Sequence, residues 1–302
     1  MRPPAHARPD VGAWAAALAF TWWGFFPLYF RLEPGVSPPE VLANRIVWSL
    51  LLVGAVLTWQ SRWSWLRPAL GARKVMLSFI ASALLLSANW MTYIWAVSNG
   101  HVVDASLGYF ITPLVNVGLG FGLLGERPRR AQWTALAVAA AGVVWLTASA
   151  GRLPWIGLVL GITFGAYGLL RKVASLGALE GLTLETMILA PFALVGMALW
   201  WGTTPTSFPG PDLATNAWLL GLGPATTVPL LLFAVAARRL SMTTLGLLQY
   251  LSPTIQFLLG IWLFHEPFGG ARLAGFVLIW VALALYSFDG WRRRAPPVVA
   301  ET

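Results

Sequence analysis

Ten apolar stretches, each close to 20 residues long, occupy most of this sequence. A helix that crosses a bilayer needs about 20 consecutive, mostly apolar residues. Short segments rich in Pro, Gly and charge separate the stretches, which leaves no room for an inserted soluble domain. The pattern predicts an all-α polytopic membrane protein with ten transmembrane helices. The stretches lie near residues 11–30, 39–60, 75–98, 103–124, 130–148, 154–170, 181–201, 214–237, 242–264 and 271–291.

Several classes of chemistry are excluded by what the sequence lacks. It has no cysteine, so disulfides, thiolate metal sites and cysteine nucleophiles are impossible. Its three histidines, His6, His101 and His265, are scattered, which argues against a metal site. No G-x-x-x-x-G-K-[ST] motif is present, so we expect no bound nucleotide. The sequence therefore predicts neither a metal nor a cofactor, and it gives no sign of an enzyme.

The distribution of Lys and Arg predicts the orientation. With the N-terminus inside, 16 of the 20 basic residues lie on the inner side and three on the outer side, while Arg45 lies within a stretch. Basic residues in short loops favour the cytoplasm. We therefore predict cytoplasmic termini in the cell inner membrane. This bias also accounts for the net charge of +9 without a nucleic-acid partner.

An internal repeat divides the chain into two halves. The segment SLGYFITPLVNVGLGFGLLGERP resembles the later segment TLGLLQYLSPTIQFLLGIWLFHEPF. Pro113 and Pro253 are 140 residues apart, and so are Glu126 and Glu266. Because each half holds five predicted spans, an odd number, the two must insert in opposite orientations. Inverted repeats are typical of secondary transporters that bind substrate between the halves near the bilayer midplane. The predicted repeats are residues 11–150 and 151–291.

The same segments carry a resemblance to a known group. Ten helices as five plus five, with a Gly-Glu loop after the fourth, resemble the EamA domains of the drug/metabolite transporter superfamily. More closely, NRIVWSL (44–50), NWMTYIWAVSNGHVVDASLGYFITPLVNVGLG (89–120), GER (125–127) and TTVPLLLFAVAARRLSMTTLGLLQYLSPT (226–254) resemble the RarD-type permeases. The resemblance covers nearly the whole chain. It implies a permease, and efflux is the usual direction in that superfamily.

Ionisable residues inside a span are costly to insert and are therefore candidates for function. Arg45 is a candidate anchor for an anionic or polar substrate group; the alternatives are an arginine that reaches the membrane surface or one tied to another helix. Asp104 is either the cap of its helix or the partner of Arg45. Glu185, 140 residues after Arg45, is either a protonatable coupling residue or an acid compensated by Arg171 or Lys172. We expect no direct bond between Arg45 and Glu185.

Uncharged polar and aromatic residues complete the predicted substrate site. Two matching stripes recur in the halves at spacing i, i+3 and i+7, which is one helix face. They line a central cavity, with Asn116 facing Gln256, or they join packed helices by hydrogen bonds. The predicted substrate-binding residues besides Arg45 are Trp48, Asn89, Trp90, Tyr93, Tyr109, Thr112, Asn116, Gln249, Ser252 and Gln256.

Three classes of function remain in view. A secondary transporter that moves a small amphipathic organic solute by alternating access fits the inverted repeat best. A channel would more naturally show a filter or an oligomer around an axis, and a membrane-embedded enzyme would need its ionisable groups clustered on one face. The partners expected are the lipid bilayer and a small-molecule substrate. The glycines at 157, 161 and 165 indicate close helix packing within the fold or, alternatively, a homodimer face.

Overall fold

The computed structural model describes residues 9–31, 35–99, 101–150, 155–200, 208–210, 212–263 and 270–292, and these residues form helices and short connections without a strand. Seven of the helices are long and apolar enough to cross a membrane. The protein is therefore an all-α polytopic membrane protein, as predicted. In the described residues the helices are α1 (Pro9–Arg31), α2 (Pro38–Trp59), α3 (Leu66–Gly71), α4 (Arg73–Ser98), α5 (Val102–Leu124), α6 (Arg130–Ala150), α7 (Trp155–Val173), α8 (Ala178–Trp200), α9 (Leu213–Arg239), α10 (Met242–Gln249), α11 (Leu251–Trp262) and α12 (Gly270–Arg292).

The ninth predicted stretch, 242–264, is not one continuous helix. It is divided at Tyr250 into α10 and α11, and the cause is Pro253, which has no N–H to donate to the carbonyl of Gln249. The Tyr250 N–H instead donates to the Leu247 carbonyl, three residues back, at 3.3 Å. Tyr250 keeps a right-handed helical backbone, with φ −62° and ψ −13°, so the interruption is of the kind expected next to a proline. In α5, by contrast, the helix continues through Pro113.

The helices pack in a reciprocal set of pairs. α5 packs along α7, and α1 packs along α10 and α11. α4 lies against α7 in the same way that α1 lies against α9. Two further pairs, α2 with α8 and α6 with α12, join the first half of the chain to the second. Every one of these contacts therefore links residues from both sides of position 150.

Glycines allow the closest of these approaches. A Cβ at Gly161 would lie 2.8 Å from Cγ2 of Ile111, and one at Gly165 would lie 2.6 Å from Cγ1 of Val115. Both side chains belong to α5, so these two glycines let α5 and α7 pack within one molecule. The surface of the bundle carries large apolar side chains, among them Trp14, Trp59 and Phe192. Such a surface suits lipid rather than water.

Candidate functional site

A cavity of about 50 Å³ lies between α1, α2, α4, α5, α7, α10 and α11. Half of its described lining residues are aromatic, one is charged, and several others carry amides or hydroxyls. A mainly apolar cleft with a few convergent polar groups is the usual form of a small-molecule site. The lining residues are Phe20, Trp23, Phe26, Arg45, Asn89, Trp90, Tyr93, Gly108, Tyr109, Thr112, Leu160, Phe164, Gln249 and Ser252.

Arg45 is the charged side chain of this cavity. It lies two turns into α2, whose start is fixed by a capping box in which the Glu40 carboxylate accepts from the Ser37 backbone N–H at 3.3 Å. Only 3% of Arg45 is exposed. Its guanidinium carbon lies 4.5 Å from the Trp90 ring centre and 5.4 Å from that of Phe26. The guanidinium is thus held between aromatic faces by cation–π contacts.

A single hydrogen bond fixes the guanidinium of Arg45 in the described structure. Its Nε donates to Oγ1 of Thr226 on α9 at 3.0 Å. Among the described residues, no carboxylate forms an ion pair with Arg45. The side chain of Asp104 lies outside the described residues, so its predicted pairing with Arg45 stays a prediction. The two terminal nitrogens of Arg45 therefore meet no described partner and remain available at the cavity wall.

The other polar groups of the wall are held by bonds to the helix backbones. The Asn89 amide donates to the Leu160 carbonyl at 3.0 Å and to Oγ1 of Thr163 at 2.9 Å, which ties α4 to α7. The Thr112 hydroxyl donates to the Gly108 carbonyl at 2.7 Å. The rings of Tyr93 and Tyr109 meet edge to face at 5.9 Å. These bonds fix the shape of the wall before any ligand arrives.

Most of the predicted site residues meet at this cavity. Three do not line it, namely Trp48, Asn116 and Gln256. The Trp48 indole donates to Oδ1 of Asn44 at 2.9 Å and packs on Phe208 rather than on the cavity. Asn116 is fully buried and donates to Oε1 of Gln249 at 3.1 Å.

Gln256 donates to the Trp23 carbonyl at 3.1 Å. The predicted facing of Asn116 and Gln256 is therefore wrong. The two side chains are bonded to different helices, Asn116 to α10 and Gln256 to α1. Asn116 and Gln249 join α5 to α10 by a hydrogen bond, which is the alternative role foreseen for the stripe.

Sequence reasoning missed one wall of the cavity and the partner of its arginine. Phe20, Trp23 and Phe26 come from α1 at intervals of three residues, a helix-face signal that was present in the sequence but hidden among 18 tryptophans and 16 phenylalanines. Thr226 gave no signal, because a hydroxyl next to a second threonine in an apolar helix has no distinctive pattern.

Glu185 belongs to a second buried cluster rather than to the cavity. Its carboxylate accepts from the Ser82 hydroxyl at 2.6 Å and from the Tyr167 hydroxyl at 3.4 Å. Nη1 of Arg171 lies 3.6 Å from the same carboxylate. Of the two compensating cations considered, Arg171 pairs with Glu185 and Lys172 lies 3.8 Å from Glu126. As expected, Glu185 forms no bond with Arg45.

Glu126 performs a structural role between the halves. Its carboxylate accepts from the backbone N–H of Met242 at 2.8 Å and from that of Thr243 at 3.2 Å, and so caps the start of α10. A carboxylate satisfies the free N–H groups of a helix start and complements its dipole. The Gly-Glu loop that follows α5 is thus a clamp on the second half of the chain.

The comparisons with known proteins agree on a single family. The model of the EamA-like transporter family matches residues 11–148. An uncharacterized transporter of Pseudomonas aeruginosa is 47% identical over 92% of this chain and 94% of its own length. A protein named RarD from Streptomyces exfoliatus is 44% identical over 91% of this chain and 87% of its own length. One crystal structure superposes with a TM-score of 0.68 over 92% of this chain and 98% of its own, at 18% identity, and so supports the fold alone.

Proposed function

This chain belongs to the EamA-like transporter family as a RarD-type permease, and from that premise we propose that it is a secondary transporter for a small amphipathic organic solute with an anionic group. The observation that carries the proposal is Arg45. It is a buried cation, held by Thr226 and two aromatic rings, with its terminal nitrogens at the wall of a cavity between the halves.

The chemistry of the cavity defines the solute class. A planar guanidinium keeps its charge and binds a carboxylate or phosphate through two parallel hydrogen bonds. The surrounding rings of Trp23, Trp90 and Phe164 offer apolar and π surface to the rest of the solute. No described carboxylate pairs with Arg45, and a buried cation without such a partner is expensive in a membrane. Binding of an anion would offset that cost, which gives the site a reason to prefer anionic over neutral solutes.

Alternating access between two inverted five-helix repeats, residues 11–150 and 151–291, is the mechanism we propose. The reciprocal packing supports it. A shift of 140 residues along the chain converts the α5–α7 contact into the contact of α10 and α11 with α1. The same shift relates α2 to α8 and α6 to α12, and the members of each pair are in contact. The same offset relates Phe110 to Tyr250, whose rings pack at 6.3 Å and whose hydroxyl donates to the Phe110 carbonyl at 3.3 Å. Two equivalent residues in contact lie on the axis of an approximate twofold.

The proposed orientation has both termini in the cytoplasm and the chain in the inner membrane. It follows from the 16-to-3 distribution of basic residues. On this orientation, Arg45 is nearer the outer surface, and the Glu185 cluster and the Glu126 cap are nearer the cytoplasm.

The test is uptake into proteoliposomes across a panel of organic anions, together with neutral amides or esters of the same compounds. We expect anions to be transported and their neutral counterparts to be excluded. Arg45→Lys should lower apparent affinity by about 10-fold or more, because one bidentate charged contact is replaced by a point charge worth about 1.5 kcal/mol less. Arg67→Lys, an exposed position in α3, is the matched control and should behave as wild type. Equal affinity for anionic and neutral members, or no effect of Arg45→Lys, would refute the anion site.

A further inference from the structure

Glu185 lies in the interior with an unusual set of hydrogen-bond partners. It is 0% exposed, and it lies on α8 with Ser82 of α4 and Tyr167 of α7 around its carboxylate. A buried carboxylate is stable only with partners that satisfy its oxygens. The distances to the Ser82 hydroxyl, 2.6 Å, and to the Tyr167 hydroxyl, 3.4 Å, supply them for the ionised form.

The same partners also satisfy the protonated form. The Ser82 hydroxyl lies within hydrogen-bond distance of two acceptors, Oε1 of Glu185 at 2.6 Å and the Phe79 carbonyl at 3.1 Å. A hydroxyl has one hydrogen to donate and can accept as well. When Glu185 is ionised, Ser82 donates to it. When Glu185 carries a proton, Glu185 donates to Ser82 and Ser82 donates to Phe79. No side-chain movement is required for the exchange.

Arg171 does not hold Glu185 in its ionised form by a hydrogen bond. Its Nη1 is 3.6 Å from Oε1 of Glu185, beyond hydrogen-bond distance, while its Nη2 donates to the carbonyls of Gly177 and Ala178 at 3.3 and 3.0 Å. Its Nε and Nη1 have no hydrogen-bond partner among the described atoms. Protonation of Glu185 would therefore leave the hydrogen bonds of Arg171 intact, while it would remove the negative charge with which Arg171 pairs.

The charged surroundings of Glu185 are few. From α7 come Arg171 and Tyr167, and from α4 comes the uncharged Ser82. The helices α2 and α9 also pack against α8, and their described residues bring no charged or titratable side chain into contact with Glu185. Among the described residues, the polar surroundings of Glu185 are therefore the side chains of Arg171, Tyr167 and Ser82.

We propose that Glu185 is a reversible proton-binding site and that the proton bound there is the coupling ion of transport. This proposal rests on the proposed function and identifies the ion whose movement is coupled to that of the solute. A proton from water adds to Oε1 and leaves again by the same bond, so no co-reactant is needed. The packing of α2 on α8 supplies the mechanical link, because α2 carries Arg45 and α8 carries Glu185.

Proton binding is tested on the purified protein without any solute. Infrared difference spectra, recorded in H₂O and D₂O over the pH range in which the protein stays folded, should show a carboxylic acid C=O band that appears on acidification. Glu185→Gln should remove it. Glu180→Gln is the matched control and should leave it, because Glu180 lies on the same helix but pairs with the exposed Arg62. If Glu185→Gln does not fold, Ser82→Ala keeps the acid and should shift the band frequency, because its hydrogen-bond partner is lost.

Coupling is tested in proteoliposomes that contain a pH-sensitive dye. Addition of a transported anion should move protons with wild type, and Glu185→Gln should abolish this movement while anion exchange continues. The proposal is overturned if wild type shows no protonated carboxyl band assignable to Glu185, or if Glu185→Gln still moves protons with the anion. Failure of the anion panel together with a persisting Glu185 band would refute the proposed function and not the proton site.

Discussion

Gly181→Ala is the substitution for which the structure predicts the largest effect from the smallest change. Gly181 lies on α8 beside the guanidinium of Arg171. A Cβ at this position would overlap Nη1 of Arg171 and would lie 2.8 Å from its Cζ and 2.9 Å from Cε1 of Phe79. Arg171 is 1% exposed, so its guanidinium has no free space into which it can move. The added methyl group must displace a buried cation from the carbonyls of Gly177 and Ala178 and from Glu185.

The expected cost follows from two known effects. Overpacking a well-packed interior costs about 1–3 kcal/mol, and breaking a buried ion pair costs about 3–5 kcal/mol. The two costs are not additive, because movement of Arg171 relieves the overpacking and at the same time weakens the ion pair. We therefore expect a loss of about 3–5 kcal/mol in unfolding free energy. Gly54→Ala in α2 is the matched control, because a Cβ there meets nothing within 4 Å. Gly54→Ala should raise the unfolding free energy by no more than about 1 kcal/mol, because Ala favours a helix over Gly.

The assay is unfolding in lipid–detergent micelles, followed by the intrinsic tryptophan fluorescence of a chain with 18 tryptophans. Each kcal/mol moves the unfolding midpoint of a chain of this order by about 2–4 °C, so Gly181→Ala should lower it by about 10 °C. In an Arg171→Leu background the same substitution should cost much less, because the shorter side chain leaves room for the methyl group. Equal midpoints for Gly181→Ala and Gly54→Ala, or full additivity with Arg171→Leu, would refute the reasoning.

Three further predictions concern the clamp, the stripe and the topology. Glu126→Ala should cost about 1–2 kcal/mol in unfolding free energy, since the start of α10 loses its cap. Asn116→Leu and Gln249→Leu should each destabilise the protein by about 1–3 kcal/mol, because each leaves a buried amide unpaired. The double variant should cost less than the sum of the two, and strict additivity in a double-mutant cycle would contradict the hydrogen bond. In intact cells an impermeant maleimide should label Ser207→Cys and not Ser64→Cys, on a background without cysteine, and the reverse labelling would invert the proposed orientation.

The sequence was most informative where a single physical constraint determined the result. A polar group inside an apolar helix must face other polar groups or a cavity, and helical periodicity specifies which residues share that face. On that basis Arg45 was predicted from its charge and Asn89 with Tyr93 from their spacing, and the structure places all three around one cavity. The seven long apolar helices follow equally directly from the length a bilayer demands. Proline at position 253 predicted a kink, and the structure interrupts the helix one turn earlier, at Tyr250.

What the sequence could not determine was whether a polar face meets a cavity or another helix. That choice depends on how closely the neighbouring helix approaches, and the approach is set by small residues elsewhere in the chain. Asn116 illustrates the point: a Cβ at Gly165 of α7 would lie 3.3 Å from its Oδ1, and one at Gly246 of α10 would lie 3.2 Å from its Cβ. Two helices therefore close over Asn116 from both sides, and its amide becomes a packing bond. One turn earlier on the same face, Thr112 still borders the cavity. The boundary between packing and site thus lies within a single helical face, between Thr112 and Asn116.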